Sequence, residues 1–321
     1  MAAIDATALP TARDTGRSTA IAAIVMVVFL VLAPFVLYPV FLMKALCFAL
    51  FACAFNLLIG YVGLVSFGHA LYFGWASYLA AYAAKSWGMP IEVSIIIGTA
   101  TAAALGVIAG SLAIRRQGIY FAMITLALAQ MMYLVALRSK LTGGEDGIQA
   151  VPRGRLFGTF DLSHEMTMYA FVLVVVLAAF FLVYRIINSP FGEVLRAIRE
   201  NEQRTISLGY RTERYKLIAF VLSATLAGLA GAIKAFVFQL ASLTDVHWTM
   251  SGEVVLMTLV GGLGTIFGPI VGAFIVVALE NYLAPFGQWV LVIQGCIFVA
   301  CILLFRRGVV GELAHRLHVR L

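Results

Sequence analysis

The chain reads as an all-α polytopic membrane protein of about ten transmembrane helices. Nine and eleven are the bounds, because two of the spans are interrupted by glycines. Three observations predict this class. The composition is 63% apolar and 12% charged, against roughly 45–50% apolar for a soluble domain. The apolar residues fall in runs of about 18–22, the length that crosses a ~30 Å hydrocarbon layer at ~1.5 Å per residue. The 22 lysines and arginines gather between those runs.

Residues 1–20 are polar and mixed in charge, with Asp5, Arg13, Asp14 and Arg17, and read as a tail. Ile21–Tyr38 is the first span. The acidic leader before it, without a clear small-residue cleavage site, favours an uncleaved helix over a signal peptide. Phe41–Ile59 is the second, with Lys44 near one end, where it can snorkel. A glycine-rich break, GYVGLVSFGHA (Gly60–Ala70), leads into a third run ending at Ala84. Val93–Ile114 and Gly118–Leu137 are the fourth and fifth, separated by Arg115 and Arg116. The polar loop Arg138–Glu165 contains TGGEDGI (Thr142–Ile148), and Met166–Ile187 is the sixth span. A polar island, Asn188–Lys216, precedes the seventh, Leu217–Phe238. Val254–Val260, broken by GGLGTIFGP (Gly261–Pro269), then Ile270–Leu283 and Gln288–Phe305 complete the ten, which places the membrane domain at 21–305 and a basic tail at 306–321.

Charge sets the orientation. With the island in the cytoplasm, ten spans put both termini inside, 15 basic residues inside and six outside, with Lys234 inside a span. The positive-inside rule selects this arrangement and rejects its inverse. It also explains the net charge of +7 without a nucleic-acid partner.

Within the island, Ser189 followed by Pro190 reads as a helix start, with serine as N-cap and proline in the first turn. Phe191, Val194, Leu195 and Ile198 fall at i, i+3, i+4 and i+7 and share one face. Arg196, Arg199, Glu200 and Glu202 occupy the others, and Gly209 can end a second short helical stretch. Such a segment lies on a membrane surface or docks in a partner's groove. A solvated loop with an incidental apolar stripe is the plainer alternative.

No catalytic constellation is present. None of the five lysines follows a glycine, so there is no phosphate-binding loop. Gly262 and Gly264 begin a dinucleotide-like pattern, but the next glycine, Gly268, comes one residue late and in an apolar run. Cys47, Cys53, Cys296 and Cys301 lie inside apolar runs with no C-x-x-C or histidine neighbour, and read as small buried residues, not disulfides or metal ligands.

Glycine-broken backbone at membrane depth is tolerated only where it is buried in protein or lines a wet cavity. Both breaks are therefore candidates for a translocation path, with tight helix packing as the alternative. Gly106/Gly110, Gly264/Gly268 and Gly268/Gly272 have the small-x-x-x-small spacing of close helix contacts. The ionisable residues in or beside spans are His69, Lys234, Glu253 and Glu280. A charge at the bilayer centre costs ~2.5–3.5 kcal/mol, so Lys234 and Glu253 can pair. Glu280 reads as interfacial, and His69 as a hydrogen-bonded structural residue.

Five ordered motifs narrow the reading. They are YVGLVSFGHALYFGWASY (Tyr61–Tyr78), RRQGIYFAMITLALAQ (Arg115–Gln130), TGGEDGI, GEVLRAIREN (Gly192–Asn201) with LGYRTERYKLIAFVLSATLAGLAGA (Leu208–Ala232), and VGGLGTIFGPIVGA (Val260–Ala273). Together they closely resemble the LivM-like permease subunits of branched-chain amino acid ABC importers, over roughly Phe41 to Phe305. Two departures stand out: Glu193 where a basic residue is common, and Glu145 where a small polar one is common. Residues 1–20 have no counterpart in the family.

The resemblance implies a bacterial inner-membrane permease that is not itself an enzyme and binds no cofactor. It implies four kinds of partner: a LivH-like second permease, two cytoplasmic ATPase subunits that use ATP and Mg, a periplasmic substrate-binding protein, and the lipid bilayer. The island would be the coupling helix, with Phe191, Leu195 and Ile198 towards protein and Arg196, Arg199 and Glu200 for polar contacts, ending through Asn201 and Gly209. The candidate translocation path comprises Tyr61, Ser66, Gly68, His69, Tyr120, Gln130, Gly262 and Gly264. Branched-chain or related amino acids are the expected substrates. Urea, amides or small carboxylates on the same architecture are the alternative. An ion-coupled carrier would need membrane-embedded ion ligands and a membrane enzyme a polar catalytic cluster; the sequence offers few of the first and none of the second.

Overall fold

The computed structural model describes residues 23–116, 118–156, 158–304 and 308–316. The N-terminal tail of 1–20 lies outside these, as do Arg306 and Arg307. The helices are α1 (Ala23–Phe35), α2 (Pro39–Asn56), α3 (His69–Ser86), α4 (Ile91–Ala113), α5 (Ile119–Arg138), α6 (Glu165–Ile187), α7 (Pro190–Glu200), α8 (Glu202–Ser207), α9 (Thr212–Phe238), α10 (Trp248–Gly261), α11 (Gly268–Leu283), α12 (Val290–Leu304) and α13 (Gly308–Arg316). Four two-residue strands, β1 (Ile148–Gln149), β2 (Arg155–Leu156), β3 (Phe160–Asp161) and β4 (Leu240–Ala241), form two small antiparallel ladders. The protein is an all-α membrane protein. Helices α1–α6 and α9–α12 stand where the ten spans were expected, and among the described residues five are long and apolar enough to cross a membrane.

The spans are not equivalent. In α2 and the π turn that continues it to Val62, 94% of the most apolar stretch is buried inside the chain; in α5 only 28% is. A helix apolar on every side sits in a core or in lipid, and α2 takes the core, packed by α6, α9, α10 and α11. The faces left uncovered on α4, α5 and α6 are available to lipid or another subunit. Helices α3, α4 and α9 pack closely through small residues, with Gly106 against Ala224 and Gly110 against Phe220.

The island and the loop 138–165 lie at opposite ends of α9. The loop is tied to its C-terminal end, where Arg153 donates to the carbonyls of Phe236 (3.2 Å) and Val237 (2.7 Å), two groups a helix end leaves free. Pairing of β1 with β4 and a bond from Lys85 Nζ to Gln149 O (2.7 Å) fasten the loop further.

The ion pairs differ from expectation. Lys234 Nζ bonds both carboxylate oxygens of Asp245, at 2.5 and 2.6 Å, rather than meeting Glu253. The connection after α9 folds back through β4 and a 3-10 turn (Leu243–Asp245), which brings its own acid to the lysine. Glu280 is not merely interfacial; it joins Lys44 Nζ at 3.0 Å and ties α11 to α2. Helix α9 also starts five residues before the expected Leu217, because Glu202 Oε1 accepts from Thr212 (3.1 Å) and Lys216 (2.5 Å) and holds the polar first turn in place.

Candidate coupling and translocation site

The two glycine breaks meet. Asn56, buried in the last turn of α2, donates through Nδ2 to Thr265 O (2.9 Å) and accepts at Oδ1 from Gly264 N (3.0 Å). One amide thus supplies the donor and the acceptor that a broken helix needs at depth. Gly264 has φ +74°, and a Cβ there would lie 3.2 Å from Arg199 Nη1 and 3.3 Å from Gly60 O. Only glycine takes up this conformation without strain. Thr265 Oγ1 closes the second break by donating to Gly262 O (2.8 Å) and accepting from Gly268 N (3.1 Å).

The first break runs deeper. Past the π turn Leu57–Val62 the chain returns into the bundle, and α3 begins beside the middle of α9. Two of its free N-terminal groups are met by side chains, one from α10 and one from the break itself. Ala70 N donates to Ser251 Oγ (2.9 Å), and Ser66 Oγ accepts from Gly68 N (3.3 Å). His69 is fully buried, pairs through Nε2 with Ser223 Oγ at 2.9 Å, and sits among the rings of Phe55, Tyr72 and Phe220. Ser223 Oγ in turn reaches Ala54 O at 2.5 Å. This chain of bonds ties α2, α3 and α9 together. Gly68 packs on α5 so closely that a Cβ would come 2.5 Å from Thr125 O, a backbone atom that cannot rotate away. Gly68→Ala is therefore expected to overpack this contact by ~1–3 kcal/mol and lower the unfolding temperature of the purified chain. An unchanged unfolding temperature would mean that this contact is loose.

The island folds on its own signals. Ser189 Oγ accepts from Gly192 N (3.4 Å) at the start of α7, and Asn201 Oδ1 accepts from Arg204 N (3.0 Å) at the start of α8. Gly209, at φ +90°, ends α8 with its N–H on Ile206 O (2.8 Å). The apolar face of α7 is covered by the chain itself. Leu195 and Ile198 are buried against the π turn, α6 and α9, and Phe191 stacks on Tyr215 at 5.6 Å. The apolar residues that the island leaves exposed are Ile206, Leu208 and Tyr210, among exposed charges that include Glu193, Arg199, Glu200 and Arg204.

Arg199 reaches back into the chain, and its Nη1 donates to Gly60 O. Arg196 pairs with Glu193 Oε1 (3.1 Å) and lies over the Tyr61 ring at 5.6 Å. Gly60, Tyr61, Gly264, Arg196, Arg199 and Glu200 line one cavity of about 500 Å³. The path residues thus fall in four places. Tyr61 and Gly264 share this cavity with α7, while Ser66, Gly68 and His69 form the deeper group. Tyr120 is exposed and Gln130 half-buried on α5, apart from both. Gly262 (φ +122°) packs against Gly308 of α13. Asn56 escaped the sequence reading, although an amide inside FACAFNLLIG was a signal for it.

Residues 37–304 match the family described as the permease component of the branched-chain amino acid transport system. The chain belongs to this permease family. Both glycine breaks and α7 fall inside the matched region. Among relatives, the chain is 27% identical to the high-affinity branched-chain amino acid transport system permease protein LivM of Escherichia coli K12, over 76% of this chain and 63% of that protein. LivM of Salmonella typhimurium is 26% identical over the same shares. A probable LivH permease of Methanocaldococcus jannaschii is 28% identical over 48% of this chain and 51% of that protein. The chain therefore spans less than two thirds of the length of the LivM proteins it matches first. No solved structure matches it.

Proposed function

We propose that this permease is a membrane subunit of an ATP-driven importer of branched-chain amino acids in a bacterial inner membrane. It works with a LivH-like second permease, two cytoplasmic ATPase subunits that consume ATP and Mg, and a periplasmic binding protein. The observation that carries the reading is Arg199. It fastens α7 to the carbonyl of Gly60 beside Gly264, where both broken helices meet. The ATPases dock on the exposed side of the island, around Ile206, Leu208 and Tyr210. When they close on ATP, α7 moves, and Arg199 carries that motion to the π turn of α2. Asn56 passes it on to Gly264 and Thr265, and the two breaks switch together between outward and inward access, a two-state element biased by nucleotide.

An ion-coupled carrier fits less well, because Lys44, Lys234, Asp245 and Glu280 are spent on structural pairs. Urea, amides or small carboxylates carried by the same architecture are the second reading, since selectivity in such an importer rests with the binding protein.

Two experiments test the proposal. In proteoliposomes with all partners, leucine uptake should require ATP, and uptake driven by an ion gradient without ATP would overturn it. In intact cells, with the four native cysteines replaced, an impermeant thiol reagent should label a cysteine at Ser163, in the loop, and spare one at Ser207, on α8. Labelling at Ser207 would invert the orientation.

A further inference from the structure

The cavity beside α7 has a charge pattern that the coupling role does not use. Arg196 is neutralised by Glu193 at 3.1 Å. That leaves one cation and one anion on the wall without a charge partner among the described residues, Arg199 and Glu200. Arg199 spends only one donor on Gly60 O, and a guanidinium carries five. Arg196 stands three residues before Arg199 and four before Glu200, so each of the two lies beside Arg196 on one side of α7. The ring of Tyr61 and the glycines Gly60 and Gly264 form the remaining wall. At about 500 Å³ the cavity falls within the ~300–1,000 Å³ of small-molecule sites.

A wall with one free guanidinium and one free carboxylate complements neither an anion nor a cation but a molecule that carries both charges close together. Phosphate or an acidic lipid headgroup would meet repulsion from Glu200, and an amine would meet it from Arg199. We infer that this cavity is a binding site for a free α-amino acid, its carboxylate on Arg199 and its ammonium on Glu200. The inference rests on the proposed importer reading for the identity of the amino acid and for the cavity's facing the cytoplasm. Because the ligand would hold the same arginine that fastens α7 to Gly60, an amino acid accumulated inside would stabilise one setting of the junction and slow further import.

The test uses the purified complex of both permeases and both ATPases in detergent, without binding protein or ATP. Three probes are compared by equilibrium binding: L-leucine, 4-methylpentanoate, which lacks the ammonium, and 3-methylbutylamine, which lacks the carboxylate. Leucine should bind at least about tenfold more tightly than either, as loss of one charge-assisted bond implies. Glu200→Gln should bring leucine down to the level of the carboxylate probe, and Arg199→Gln to the level of the amine. Binding of 4-methylpentanoate as tight as leucine would make this an anion site and overturn the inference. So would leucine binding that is absent in the wild type or unchanged in both variants. ATP-driven leucine uptake by the same wild-type complex, reconstituted in proteoliposomes with its binding protein, separates the two claims. If uptake is present without this binding, only the inference fails; if uptake is absent, the importer reading fails.

Discussion

Lys234→Met alone is expected to destabilise the helix bundle by on the order of 3–5 kcal/mol, the penalty of breaking a buried ion pair from one side. The Asp245 side chain is only 2% exposed, and both its oxygens are bonded to Lys234 Nζ. Without the lysine, a buried carboxylate keeps little beyond a 3.4 Å bond from Ser242 N. The damage would spread, because Asp245 and Val246 pack on α3 at Gly74, where an added Cβ would lie 2.8 Å from Val246 N. Removing both charges should be far milder, since replacing a whole buried pair by neutral groups is often close to neutral. Thermal unfolding of the purified chain should therefore show Lys234→Met well below wild type, and Lys234→Met with Asp245→Asn recovering most of the loss. A double variant as unstable as the single one would show that the pair is not coupled.

Leu195→Asp is expected to release α7 from the bundle. Leu195 has no exposed surface, and full burial of a leucine contributes ~1.5–3 kcal/mol. The replacement loses that term and adds an unpaired buried carboxylate, which costs several kcal/mol more. An eleven-residue helix held mainly by Leu195, Ile198 and the Arg199 bond cannot absorb such a loss and stay docked. The spans are untouched, so the chain should still insert. Hydrogen exchange over Pro190–Glu200 should become fast in this variant, whereas Glu193→Ala, at an exposed position, should change it little. Protection as strong as wild type would mean that Leu195 does not anchor α7.

The island was the most legible part of the sequence. Ser189, Pro190 and the apolar spacing from Phe191 to Ile198 define α7 by local rules, and the structure has the cap and the buried face they describe. What covers that face was not legible, since an apolar stripe does not say whether its partner is the same chain or another. The central place of α2 was hidden for a related reason: a helix apolar all round has one composition in lipid and in a protein core. Contacts across long separations were out of reach. Asn56 and Gly264 are 208 residues apart, and no spacing rule joins them. Asp245 was missed because the search for charges stopped at residues in or beside spans, while the partner of Lys234 sits in the connection that follows.

The fastening of α7 to the glycine junction is tested most directly by the number of leucine molecules transported per ATP hydrolysed in proteoliposomes, comparing wild type with Arg199→Ala. Loss of a hydrogen bond from a charged group costs ~1.5–3 kcal/mol, enough to uncouple α7 from the π turn of α2 while the ATPases remain bound to the exposed side of the island. ATP hydrolysis near the wild-type rate with a transport ratio about tenfold lower is the predicted result. A ratio unchanged from wild type, with the ATPases still bound, would contradict it.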